Sequence, residues 1–329
     1  MLKNLIMFLA LTLSVNSFAA QKVNGAGATF PYPIYSKWFS EYQKSHADVE
    51  FNYQSIGSGG GIKQVLAQTV DFGATDAPMS DDELKQAKTP IRHIPTVLGA
   101  VTVAYNVQGV PAELKLDGAT LANIFLGTVT KWNDASIAKL NPKVKLPATD
   151  ILVVRRSDGS GTSAVFTEYL AAVSPDFKTK VGVGKNVNWP AGIGAKGNEG
   201  VTAMVAQTDG AIGYTELAYA INAKINMAAI KNAKGEFVMP SVASITNAAA
   251  SVKKFDGDLR MSIINVDQKG AYPISSFTYI LLPESTTAPV VATKAFLGWA
   301  LADGQKFASE LHYAPLPKKM SEALLKTLK

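Results

Sequence analysis

Short apolar runs with strand-like character recur along this chain, each followed by a segment whose apolar residues return at helical spacing. That rhythm leaves few architectures open. Val49-Glu50-Phe51-Asn52-Tyr53 alternates as a strand does, and Ile62, Val65, Leu66 and Thr69 follow at helical spacing. Residues 97–107 are near-continuously apolar, as a buried strand should be. Ile151-Leu152-Val153-Val154 repeats the pattern ahead of a helical face of Val165, Phe166, Tyr169, Leu170 and Val173. Residues 211–214 and 274–282 read as further strands, and Phe296, Leu297, Ala300 and Leu301 mark a late helix that stops near Gly304. The alternation predicts an α/β protein with mostly parallel sheets. A length of 329 residues corresponds to about two domains. No clean linker separates two halves, so the chain is expected to cross between domains more than once.

Hydrophobic residues make up 47% and charged residues 18%, enough apolar material for a large core. The net charge of +6 is spread along the chain. Lys143/Lys145, Lys253/Lys254 and Lys318/Lys319 are short clusters that read as solvated faces, and no basic stripe points to nucleic acid. Cysteine is absent, which removes disulfides, thiolate metal sites, Cys nucleophiles and lipidation of an N-terminal Cys. Lys3, the apolar stretch of residues 5–11 extended by Leu13 and Val15, and Asn16-Ser17-Phe18-Ala19-Ala20 together read as a signal peptide cleaved near Ala19 or Ala20. No later stretch is apolar enough to span a bilayer. The mature chain is expected to be exported, soluble and unanchored, and without a Cys for a lipid a periplasm fits better than the outer face of a single-membrane cell.

Signals for catalysis are weak. His46, His93 and His312 are isolated, with no paired metal-ligand spacing. Neither Ser58 nor Ser160 has a glycine two residues before it, as a nucleophile elbow needs. Gly25-Ala26-Gly27-Ala28-Thr29-Phe30 lacks the third glycine of a dinucleotide loop and follows no strong strand. Instead, a small Gly/Ser/Thr-rich turn runs into a predicted helix three times. These are Gly27-Ala28-Thr29-Phe30 before Pro31, Gly57-Ser58-Gly59-Gly60-Gly61 before Ile62, and Asp158-Gly159-Ser160-Gly161-Thr162-Ser163 before Ala164. The first of these helices carries Ile34, Tyr35, Trp38, Phe39 and Tyr42 on one face. A helix N-terminus presents unpaired N–H groups and a partial positive charge, so each turn is either an oxyanion cradle or an ordinary helix cap.

Arg155-Arg156 ends an apolar strand just before the third turn. Adjacent strand residues face opposite ways, so one of the two faces a shared cleft. Asp158 can hold the guanidinium of Arg156, or the two can form a plain surface ion pair. Asp76, in Asp71-Phe72-Gly73-Ala74-Thr75-Asp76-Ala77-Pro78, is either a turn residue or an acceptor for an anion that carries its own proton.

With these residues assembled, the chain closely resembles the periplasmic phosphate-binding proteins of phosphate-specific ABC transporters. The matching stretches are GAGATFPYPIYSKW (25–38), IGSGGGIKQVLAQTVDFGATDAPMSD (56–81), LGTVTKWND (126–134), RRSDGSGTS (155–163), NWPAGIGAKGNEGV (188–201) and GAIGYTELAYA (210–220), with a weaker match near the end. The resemblance implies a two-lobed α/β solute-binding fold of type II with the ligand cleft between the lobes. One lobe would be residues 21–104 plus 272–329 and the other 105–271, with hinges near Tyr105-Asn106 and near Ala271-Tyr272-Pro273. It implies reversible capture of inorganic phosphate by a monomer that docks an inner-membrane permease, with no catalysis, cofactor or metal. By motif position, Thr29 and Phe30 would donate backbone N–H groups, with the Thr29 hydroxyl, and Ser58 would donate hydroxyl and N–H. Asp76 would accept the ligand's proton and Arg156, oriented by Asp158, would supply the positive charge. Ser160, Gly161 and Thr162 would complete the shell with N–H groups and hydroxyls. Gly59, where relatives often carry a second Ser, departs from the pattern and would cost one peripheral donor. Another tetrahedral oxyanion such as sulfate, or a secreted phosphohydrolase using Ser58 or Ser160, are the competing readings.

Overall fold

The computed structural model describes residues 20–110, 112–253 and 257–328, so the expected leader, apart from Ala20, lies outside the described residues. Twelve strands are present among them: β1 (Gln21–Gly27), β2 (Val49–Ser55), β3 (Phe72–Thr75), β4 (Ile91–Asn106), β5 (Lys115–Leu116), β6 (Leu152–Arg156), β7 (Ile193–Ala195), β8 (Ala211–Glu216), β9 (Asn226–Met227), β10 (Ala229–Lys231), β11 (Phe237–Val238) and β12 (Ser275–Pro283). Nine of them form one sheet in the order β2-β1-β3-β12-β4-β8-β6-β7, with β9 also on β4. The remaining three make a small sheet, β11-β10-β5.

The large sheet has two halves joined by one strand. Residues 91–100 of β4 pair with β12, and residues 101–106 pair with β8. The outer strands are parallel, β1 with β2 and β3, and β6 with β7 and β8. The centre is antiparallel, since β12 pairs antiparallel with both β3 and β4, and β4 with β8. The expectation of mostly parallel sheets therefore holds only at the flanks. Residues 97–107 are apolar because the strand is covered on both faces, and burial on both faces does not depend on strand direction. One strand ahead of the turns lacks the usual pattern. β1 has only Val23 as a large apolar residue, and the Phe72 ring lies where a Gly25 side chain would be. The turn Gly27–Phe30 thus does follow a strand, contrary to the sequence expectation.

Each half has its own aromatic core. The helix Tyr32–Gln43 buries Ile34, Tyr35, Trp38, Phe39 and Tyr42 as its spacing predicts. Phe39 stacks on Phe51 at 5.0 Å between ring centroids, and Phe296, from the helix Ala288–Leu301, meets Phe51 at 4.8 Å and Phe39 at 5.0 Å. In the other half Phe166 lies 4.4 Å from Tyr214 and 4.7 Å from Phe125. Phe296 is fully buried, so Phe296→Ala is expected to cost about 3–5 kcal/mol of unfolding free energy in urea melts. A cost under about 1 kcal/mol would mean that the site collapses around the missing ring.

Candidate functional site

The three turns seen in the sequence meet in one place. Gly27 carbonyl accepts from the N–H groups of Ile56 (2.9 Å) and Gly57 (2.8 Å), which ties the first turn to the second. Gly57 has φ +87° and its missing side chain leaves room for Asp158 of the third turn, a conformation and a clearance that only glycine combines. At Gly161 a Cβ would collide with Ser58 Oγ and Asp76 Oδ2, so the third turn sits directly on residues of the opposite half. The chain crosses that gap again where Gly59 N–H donates to Gly159 carbonyl at 2.8 Å. Gly59 therefore gives its N–H to the facing turn.

The turns differ in how they begin their helices. Ser160 is a cap, its Oγ accepting from Ser163 N–H at 2.9 Å. Its own N–H donates to Lys185 carbonyl at 3.0 Å, so the Ser160 hydroxyl, not its N–H, is what can reach into the cleft. Ser58 is the first residue of the helix Ser58–Leu66, which takes Gly59, Gly60 and Gly61 out of the turn and into the helix. Thr29 lies ahead of Pro31, the cap of the first helix.

The carbonyls of Thr29 and Phe30 accept from the Tyr219 and Tyr313 hydroxyls, each at 2.6 Å, which fixes both peptide planes. Among the described residues, the backbone N–H groups of Thr29, Phe30, Ser58, Gly161 and Thr162 have no acceptor. All five residues are buried. Buried donors without partners are rare and cost about 1–3 kcal/mol each, so the arrangement calls for an acceptor-rich ligand.

Three charged groups stand at the meeting of the turns. Arg156 is buried; its Nε and Nη2 donate to Asp158 at 2.8 and 2.5 Å, and its Nη1 donates to Thr162 Oγ1 at 3.3 Å. Arg155 is half-buried and reaches only the Arg156 carbonyl, at 3.4 Å, as strand alternation requires. Burial acts to raise the Asp158 carboxyl, but the hydrogen bond and charge of Arg156 carry it below the ordinary range. Asp76 is buried, with Oδ1 accepting from Thr278 at 2.9 Å and Oδ2 from Ser58 at 3.4 Å. Burial pushes its carboxyl up to about 7, against the opposing pull of Thr278, Arg156 and Ser58. The histidines are elsewhere: His93 Nε2 accepts from Met79 N–H at 2.9 Å, and His46 stacks on Tyr42.

Thr29, Phe30, Ser58, Asp76, Arg156, Asp158, Ser160, Gly161 and Thr162 are thus all at one cleft. Sequence reasoning passed over Thr278, Tyr219, Tyr313 and Asn198. Asn198 left a signal, since Gly197-Asn198-Glu199-Gly200 opens a helix, with Gly197 at φ +72°.

A family model described as a PBP superfamily domain matches residues 14–303. The phosphate-binding protein PstS of Xylella fastidiosa (strain Temecula1) is 45% identical over 303 residues, 91% of this chain and 82% of the relative. The chain belongs to the PstS family of phosphate-binding proteins within the PBP superfamily. The fold is shared with solved structures at lower identity. One is a high affinity periplasmic phosphate-binding protein (PfluDING) bound with phosphate, with a TM-score of 0.73 at 21% identity over 92% of this chain and 93% of that one. Another is an ABC-type phosphate transport receptor from Vibrio cholerae, with a TM-score of 0.58 at 17% identity over 90% and 100%. The α/β, two-lobed solute-binding fold implied by the sequence resemblance is therefore the fold of this chain.

Folding raises the Asp76 carboxyl from its ordinary 3.8 to about 7, so the folded chain holds a proton there that the unfolded chain releases. Stability from this group falls as pH rises through that window. Asp76→Asn cannot ionise. Without phosphate, its melting temperature is expected to gain on wild type between pH 4 and pH 7 and to hold that gain above, read by calorimetry. A pH-independent difference would show that Asp76 ionises like an exposed carboxylate.

Proposed function

We propose that this chain captures inorganic phosphate reversibly in the periplasm and presents it, as a monomer, to the inner-membrane permease of an ABC transporter, without performing chemistry on it. The observation that carries this reading is the convergence of five buried, unpartnered N–H groups on one fixed guanidinium and one protonatable carboxyl. The names of its relatives and the phosphate bound in PfluDING support phosphate as the anion, and the name of the Vibrio cholerae structure supports the transport role. Export by a leader cleaved near Ala19 or Ala20 is part of the proposal. No helix among the described residues is long and apolar enough to cross a membrane.

In this reading Thr29 and Phe30 donate N–H groups, Thr29 and Ser58 add hydroxyls, and Ser58 adds its N–H. Gly161 and Thr162 donate N–H groups from the start of their helix, where the helix dipole also favours an anion. Ser160 and Thr162 contribute hydroxyls, Arg156 the positive charge, and Asp158 the orientation of that charge. Asp76 receives the phosphate O–H. The lobes are residues 21–104 with 272–329 and residues 105–271. The change of partner along β4 at Ala100/Val101 and the start of β12 at Ser275 support that division.

Calorimetric titration with phosphate, sulfate and arsenate tests the function. Phosphate should bind one per chain, at low micromolar concentration or tighter. Sulfate keeps no proton, and at pH 8.5, the pH for these titrations, Asp76 is ionised while phosphate still carries a proton, so sulfate leaves a buried acceptor unpaired. Sites built on a ligand's hydrogen reject analogues without it by ~10⁴-fold or more. Sulfate should therefore not bind where phosphate saturates, and Asp76→Asn should narrow the gap. Comparable sulfate binding by wild type would revive the sulfate reading, and turnover of a chromogenic phosphate ester the hydrolase one.

The two arginines give a second test. Arg156→Ala should weaken phosphate binding by about 1.5–3 kcal/mol or more, the range for hydrogen bonds to charged groups, and Arg155→Ala by much less. Equal losses in the same titration would mean that the charge at the cleft is not supplied by Arg156.

A further inference from the structure

We infer that Asn198 is a positioning residue that makes the Thr29 and Thr162 hydroxyls obligate donors to the bound anion. The inference rests on the phosphate reading above and concerns a residue outside the shell assigned there. Asn198 is fully buried at the second position of the helix Gly197–Gln207. Its Nδ2 donates to Thr29 Oγ1 at 2.7 Å and to Thr162 Oγ1 at 3.2 Å, and thereby spans the two halves of the sheet.

The orientation of the carboxamide follows from chemistry. Its other end takes the Glu216 N–H at 3.0 Å, and a backbone N–H can only donate, so that end is the oxygen. The Thr215 hydroxyl adds a second donor to the same oxygen at 3.2 Å. The amide nitrogen must then face the two threonines.

Each threonine oxygen already has two donors. Thr29 Oγ1 accepts from Asn198 Nδ2 and from Asn198 N–H at 3.2 Å. Thr162 Oγ1 accepts from Asn198 Nδ2 and from Arg156 Nη1 at 3.3 Å. A hydroxyl has two acceptor lone pairs and one hydrogen, so in both residues only the hydrogen remains to be placed. Both residues are buried, and a buried O–H needs an acceptor. An unprotonated oxygen of the ligand supplies it, whereas an oxygen that carries a proton is mismatched at these two positions. The same helix start also serves the guanidinium, because Gly197 N–H donates to Asp158 Oδ1 at 3.1 Å.

A double-mutant cycle read by phosphate titration tests the inference, with melting temperatures measured without phosphate to follow folding. Asn198→Ala should weaken phosphate binding about tenfold or more, comparable to one hydrogen bond to a charged group. In a Thr29→Val/Thr162→Val background the same substitution should cost less than about threefold, because the hydroxyls through which it acts are gone. An equal cost in both backgrounds would mark Asn198 as merely structural and overturn the inference. Should Asn198→Ala not fold, Asn198→Asp keeps the acceptor for Glu216 N–H and reverses the donor. It should bind phosphate more weakly than wild type by well over tenfold, and affinity within about threefold of wild type would overturn the inference. Wild-type protein that binds no phosphate would overturn this inference and the proposed function together. Wild-type binding with an uncoupled cycle would overturn this inference alone.

Discussion

Hydrogen-bond donors withheld from protein acceptors set the terms for the rest of this structure. The backbone N–H groups of Thr29, Phe30, Ser58, Gly161 and Thr162 lack an acceptor among the described residues, and burial removes water as a general partner. Such donors are tolerable only where the surrounding fold holds them rigidly and a suitable ligand is at hand. The rigidity is visible in the adjoining carbonyls: the Tyr219 hydroxyl holds that of Thr29, which shares its peptide with the Phe30 N–H, and the Tyr313 hydroxyl holds that of Phe30. Glycine at positions 57 and 161 then lets the turns approach each other closely.

Charge is used sparingly around that space. One guanidinium faces two carboxyls whose environments push them in opposite directions. Asp158, bound to Arg156 through both oxygens, stays ionised, while burial raises the Asp76 carboxyl to about 7 against the pull of its hydroxyl donors and Arg156. Two carboxyls of the same intrinsic chemistry thereby take different roles, one orienting a cation and the other free to read a proton. At the mouth of the cleft, Lys185 pairs with Glu83 at 3.0 Å and Arg260 with Asp81 at 2.7 Å. These partly exposed pairs hold opposing surfaces together with little net energy.

Much of the cleft was legible in the sequence because its residues are short-range features of three turns, and the resemblance attached a role to each. Strand alternation put Arg155 and Arg156 on opposite faces, and the resemblance said which of them meets the cleft. What could not be read depends on partners remote along the chain. Asn198 meets Thr29 across 169 positions and Thr278 meets Asp76 across 202, and no local pattern announces such pairs. β1 escaped notice because glycine and alanine replace the branched side chains that mark a strand, giving space to Phe72. The antiparallel centre escaped because apolarity reports burial and is silent about direction. The helix start at Ser58 was read four residues late, because a glycine run carries no helical signature.

The position of β12 has a bearing on assembly. It lies between β3 and β4, yet those two strands are separated in sequence by fewer than twenty residues, while β12 comes only at Ser275–Pro283. The first quarter of the chain therefore cannot complete its sheet until most of the polypeptide has been delivered, and the closing step is a long-range insertion rather than a local zippering. Loop closure over such a distance must precede the contacts that reward it, which slows formation of the native sheet. Until then the facing edges of β3 and β4 remain unpaired, and late strand insertion is the step that closes the sheet.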